Sequence, residues 1–130
     1  MSINLFIIGP SGSGKSTQAK LIAHKYGLTH ISTGQLFRDE MVQETALGLE
    51  AKKYIDQGIW CPDELVLKIL FSALAKVDNH NFIVDGTPRL PGQTQPVEDY
   101  LANFNQQVTA LIHLKVTFEE ILLRRQKFGQ

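Results

Sequence analysis

The chain has 130 residues and one cysteine, about one domain's worth of polypeptide, which excludes a two-domain enzyme. Hydrophobic residues make up 43% and charged residues 20%, an ordinary soluble globular composition that supports a core without disulfide or metal staples. Thirteen Lys+Arg balance thirteen Asp+Glu, so no chain-wide field draws it to nucleic acid or to an anionic membrane, and any anion site must be local. Cys61 has no cysteine to pair with, and no Cys/His spacing suits zinc. Apolar runs are short and Lys15 interrupts the segment where a leader's apolar stretch would continue, so a reducing, cytoplasmic setting is expected.

In chain order, Ile3 to Ile8 is a continuous apolar run ending at Gly9, the pattern of a central strand buried on both faces of a parallel sheet. Ala19, Ile22, Ala23 and Tyr26 then recur at helical spacing, which predicts a helix over 15–26 closed by Gly27. Leu28 to Ile31 is a short second strand, and Thr33 to Gly58 is helical in composition, punctuated by Gly48 and Gly58. Pro62, Asp63 and Glu64 suit the start of another helix, whose wide apolar face runs from Leu65 to Val77. Asn81 to Val84 is a third strand that delivers Asp85 at its carboxyl end. A turn-rich loop leads to a helix carrying Val97, Tyr100, Leu101 and Phe104. Val108 to Val116 is a fourth strand, able to stand at a sheet edge, and Thr117 with Glu120 opens a last helix bearing Arg124 and Arg125. Alternating strands and helices make the class α/β, with a mainly parallel sheet.

The run Gly9-Pro10-Ser11-Gly12-Ser13-Gly14-Lys15-Ser16 fits GxxxxGK(S/T) and lies between a predicted buried strand and a predicted helix. Glycines let successive amide N–H groups point at phosphate oxygens, and the helix start adds partial positive charge. Lys15 supplies a full charge to the β and γ phosphates, and Ser16 offers a hydroxyl to Mg²⁺ or its water. Asp85, closing a strand expected beside the first, is placed to orient that metal. An Asp after a strand is also a common turn former.

Taken in order, GPSGSGKSTQ from Gly9, HISTGQLFR from His30, GIWCPDELV from Gly58, DGTPRLPGQ from Asp85 and the arginine-bearing helix at Arg124 resemble the adenylate kinase family of nucleoside monophosphate kinases. The resemblance implies a P-loop fold with helices on both faces of the sheet and a small helical monophosphate-binding insertion over 32–62. It implies reversible phosphoryl transfer from Mg-ATP to AMP. From the balanced charge no nucleic-acid or membrane partner is expected, and the chain is expected to be a monomer.

Carried over by position, Lys15, Arg38 and Arg89 are the catalytic cations, since a guanidinium fork suits a phosphate clamp. Gly9, Ser11, Gly12, Ser13, Gly14, Lys15, Ser16 and Thr17 hold the donor phosphates, with Arg124 over the donor adenine. Ser16 and Asp85 position Mg²⁺. Thr33, Gly34, Arg38, Ile59, Trp60, Cys61, Gly86, Arg89 and Gln93 form the acceptor site, where Gln93 meets adenine with its amide. Read without the family, Thr33 is a helix N-cap, Arg38 a solvated helix face, Arg89 a loop cation, Trp60 plain core and Gln93 an exposed helix residue. Pro88 matches a family proline whose preceding bond is often cis.

The chain departs from the family at Ser11, at Ser16 for the usual glycine, at Gln35 for an acid, at Thr87 for an aromatic, and at Phe128, where a second arginine is expected. The family's lid, further strand and terminal helix cannot be built after Arg125. Two other readings therefore stand beside the AMP kinase: a nucleotide-binding module or kinase core with little turnover, and a small-molecule kinase with another acceptor.

Overall fold

Asn4–Ile8 forms strand β1 and Lys15–Tyr26 helix α1, followed by β2 (Thr29–Ser32), α2 (Thr33–Val42), α3 (Ala46–Asp56) and α4 (Asp63–Ala75). Strand β3 (Phe82–Asp85), a short 3₁₀ turn (Pro91–Gln93), α5 (Thr94–Ala102) and β4 (Ala110–His113) complete the order. The structure, a computed structural model, describes residues 2–10, 13–87 and 91–115. The expected last helix, with Arg124, Arg125 and Phe128, lies outside the described residues, as do Ser11, Gly12, Pro88 and Arg89.

Among the described residues all strand pairs are parallel, in the order β2-β3-β1-β4. The apolar run of β1 is central, as its sequence predicts, with Ile7 level with Asp85 of β3 and Ile112 of β4. Alternation along the strands divides the core in two. Leu5, Ile7 and Ile83 face α1 through Ala19 and Ala23. Phe6, Ile31, Phe82 and Val84 face α4 and α5 through Leu70, Leu74, Val97 and Leu101. Helices thus cover both faces. Phe6 meets Phe82 edge to face at 5.6 Å, and Phe71 of α4 stacks on Tyr100 of α5 at 4.0 Å.

Helices α2 and α3 pack on each other and on α4, where Ala51, Leu65 and Ile69 are buried. The break between them falls at 43–45, not at Gly48. The Thr45 side chain caps α3 by accepting from the Gly48 amide at 3.0 Å, and its hydroxyl donates to the Glu40 carboxylate. Gly48 instead marks a close approach: a Cβ there would lie 2.0 Å from the Glu40 carbonyl oxygen. No helix among the described residues is long and apolar enough to cross a membrane.

Three local expectations change. The N-cap of α2 is Ser32, which accepts from the Gln35 amide at 3.4 Å, and not Thr33, which lies inside the helix and is buried. Pro62 is the N-cap of α4, one residue outside the first turn, while Asp63 and Glu64 occupy that turn. Strand β4 is shorter than 108–116 and stands at the sheet edge among the described residues, with Leu111 50% exposed.

Candidate functional site

The Gly-rich turn joins the carboxyl end of β1 to the start of α1. The Ser13 amide donates to the Pro10 carbonyl at 3.1 Å, and Gly14 takes the left-handed conformation (φ 86) at the N-cap of α1. Among the described residues no side chain caps this helix and no acidic residue occupies its first turn, so its amide end keeps its positive character. Lys15 is the first helical residue, followed by Ser16 and Thr17.

Asp85 closes β3 at 3% exposure, on the α1 side of the sheet because it shares the parity of Ile83. Ser16 on α1 donates its hydroxyl to Asp85 Oδ2 at 3.4 Å. From the neighbouring strand, His30 reaches the same oxygen through Nε2. Its parity is opposite to that of Ile31, which packs on the other face. No role for His30 was read from the sequence, although period-two alternation in β2 places it on Asp85's side. Both Ser16 and Asp85 offer hard oxygen, the donor type that Mg²⁺ takes while keeping most of its water. No group of three or more His, Cys, Asp or Glu gathers as a metal cage among the described residues.

A cavity of about 230 Å³ opens between α2, the end of α3, the start of α4 and the loop after β3. Seven of the residues expected at the acceptor site line it: Thr33, Gly34, Ile59, Trp60, Cys61, Gly86 and Gln93. Phe37, Ile55 and Val66 also line it among the described residues, and helical periodicity in the sequence marks them only as apolar. Thr33 is 5% exposed and pairs with the buried Thr87 hydroxyl at 2.7 Å, which ties α2 to the loop after β3. Trp60 is not core: it is 71% exposed at the cavity's edge. Gln93 is not an exposed helix residue: it is 3% exposed, and its amide nitrogen donates to Asp63 at 3.1 Å. Burial pushes the Cys61 thiol above its ordinary pKa, and its Sγ lies 3.8 Å from the Ala51 carbonyl.

Arg38 lines a second cleft of about 460 Å³, together with Ser16, Lys20, His30, Ser32 and Gln35. The Gln35 carboxamide oxygen accepts from Arg38 Nε and Nη2 at 3.3 and 3.0 Å, and its nitrogen donates to Asp39 at 2.7 Å. Helix α2 therefore borders both spaces, the cavity through Gly34 and Phe37 and the cleft through Gln35 and Arg38. Lys20 was not singled out in the sequence.

The sequence model of the adenylate kinase family matches residues 7–127. The chain belongs to the adenylate kinase family. It is 41% identical over 124 residues to an adenylate kinase of Clostridium botulinum (strain Langeland), covering 95% of this chain and 57% of that protein. An adenylate kinase of Micrococcus luteus is 42% identical over 124 residues, covering 95% of this chain and 60% of the relative. One of Clostridium tetani is 42% identical over 123 residues, covering 94% and 57%. The chain thus spans less than two thirds of the length of these relatives.

Within an adenylate kinase frame, the parallel sheet, the strand-to-helix cradle and the Ser16–Asp85 pair stand together at the carboxyl ends of β1 and β3. Open parallel sheets bind ligands at that edge.

Proposed function

We propose that the chain carries the nucleotide sites of a nucleoside monophosphate kinase that transfers a phosphoryl group from ATP to AMP, giving two ADP. The observation that carries this reading is the course of α2, which borders an apolar cavity with a few polar groups on one side and, on the other, the cleft containing Ser16 and Arg38. A phosphoryl acceptor held by its base in the first would extend its phosphate toward the second.

In this reading the cradle from Gly9 to Thr17 binds the donor's phosphates, with Lys15 on the β and γ groups. Arg38 holds the acceptor's α-phosphate, and Arg89 spans the transferring group from the loop after β3. An acceptor phosphate oxygen forms the new P–O bond as the bond from the γ-phosphorus to the β–γ bridging oxygen breaks, leaving the electron pair on that oxygen, now a terminal oxygen of the departing diphosphate's β-phosphate. The protein positions the two anions and screens their charge. Ser16 and Asp85 would hold Mg²⁺, which when bound neutralises charge on the donor phosphates. His30 holds the Asp85 carboxylate on the α1 side of the sheet. Thr33, Gly34, Ile59, Trp60, Cys61, Gly86 and Gln93 receive the acceptor, residues 32–62 act as the acceptor-binding insertion, and Arg124 lies over the donor base. We place the protein in the cytoplasm as a monomer acting on small nucleotides.

Calorimetry with ATP and AMP beside a coupled ADP assay tests the proposal. Saturable binding of both nucleotides with Mg²⁺-dependent ADP formation is expected. Binding without product would leave a nucleotide-binding module, and product only with another acceptor would reassign the cavity.

A further inference from the structure

Residues three and four apart on a helix share a face, and on α2 this spacing joins Gln35 to Arg38 and to Asp39. The Gln35 carboxamide oxygen accepts from Arg38 Nε and Nη2, while its nitrogen donates to Asp39 Oδ1. The amide's orientation is therefore set from both ends, because a guanidinium only donates and a carboxylate only accepts. Among the described residues no carboxylate pairs with Arg38, since Asp39 is turned to the Gln35 nitrogen. A guanidinium has two edges that grip an oxyanion with parallel N–H groups, Nε with Nη2 and Nη1 with Nη2. Gln35 occupies the first. The second lies at Gly34, with Nη1 and Nη2 3.4 and 3.9 Å from where a Gly34 Cβ would stand. Gly34 lines the cavity and Arg38 lines the cleft, so this edge sits on the part of α2 that borders both.

We infer that Gln35 is a positioning residue that holds Arg38 by its Nε edge and leaves the Nη1–Nη2 edge for the acceptor's phosphate. The inference rests on reading the cavity as the acceptor site and Arg38 as its phosphate clamp. An arginine loses much rotamer freedom when it grips an anion, and a partner that orders it beforehand lowers that cost. Position 35 is one where this chain departs from the family's acid. A carboxylate there would also order Arg38, but it would face Asp39 one turn away and offset part of the charge meant for the phosphate. The neutral amide avoids both. The same hydrogen bonds also support α2 as ordinary pairs on a helix face, and that role alone gives no preference for a ligand that carries a phosphate.

Calorimetry on the 130-residue chain compares AMP with adenosine, which brings the same base and sugar without a phosphate. The variants are Gln35→Met, which keeps length and helix preference but loses the acceptor oxygen, Arg38→Met, and the two together, with thermal melts to confirm folding. Gln35→Met is expected to weaken AMP about three- to tenfold and to leave adenosine within about twofold. In the Arg38→Met background the same change should alter AMP affinity by under about twofold, because Gln35 acts through Arg38. Unchanged AMP affinity in Gln35→Met, an equal loss with and without Arg38, or an equal weakening of AMP and adenosine would overturn the role of Gln35 and leave the acceptor site standing. Wild type binding no AMP, or Arg38→Met binding it as tightly as wild type, would overturn the clamp reading and the inference with it. Nuclear magnetic relaxation of the Arg38 Nε in wild type needs neither variant nor ligand, and should show order close to that of the α2 backbone. Motion as free as that of an unpaired surface arginine would overturn the proposal.

Discussion

Ser16 Oγ stands 3.4 Å from Asp85 Oδ2, although the two are 69 positions apart in the chain. The pairing of β3 directly beside β1 brings this about, because it sets the end of β3 under the first turn of α1. Replacing Asp85 with Asn removes the charge from this pair and from the His30 contact. ADP formation by Asp85→Asn should need at least about tenfold more Mg²⁺ for half-maximal rate, while ATP affinity measured without Mg²⁺ stays within about twofold. An unchanged Mg²⁺ titration would separate Asp85 from the metal.

Lys15 begins α1, and in the proposed reaction it supplies charge to the donor phosphates. Lys15→Ala should lower ADP formation by about two orders of magnitude or more, with an unfolding midpoint close to wild type. Retained turnover in the coupled assay would remove the cradle from the reaction.

Gly48 lies where α3 crosses the end of α2, with the Glu40 backbone in the space a Cβ would fill. Backbone cannot step aside as a flexible side chain can. Gly48→Ala should therefore cost about 1–3 kcal/mol in urea unfolding, despite the higher helix propensity of alanine. A gain in stability would mean that the two helices separate at little cost.

Trp60 is the single tryptophan of the chain and stands at the cavity's edge, 71% exposed. Its emission should shift to the blue or quench on adding AMP, and remain unchanged with inorganic phosphate. Because so little of it is buried, Trp60→Ala should change stability by under about 0.5 kcal/mol while weakening AMP binding.

The Cys61 thiol is raised above its ordinary pKa by burial, so at any pH below that value it carries less thiolate than a free cysteine. Alkylation should be slower than for a model thiol at pH 8, should rise as pH climbs through the raised value, and should slow further with AMP in the cavity. A rate matching the free thiol would show that the wall opens in solution.

Local rules reach far along this chain. The apolar run of β1, the helix over 15–26 and the acidic first turn of α4 follow from periodicity and from the charge preference of a helix start, and the structure places each as expected. Local rules fail where two patterns compete. Ser32 and Thr33 are both good capping residues, and the choice went to Ser32 because the Thr33 hydroxyl is taken by Thr87, 54 positions away. Gly48 reads as a helix breaker until the neighbouring helix is seen to press on it.

The amino-acid order by itself determined the alternation of strands and helices and the glycine-lysine turn between β1 and α1, since both depend on neighbours within a few residues. Only the tertiary structure decided that His30 meets Asp85, that Trp60 is exposed while Gln93 is buried, and that Asp63 holds the Gln93 amide. These contacts join separate elements, and their energies depend on distances that exist only after the sheet has set its strand order and the helices have packed on it.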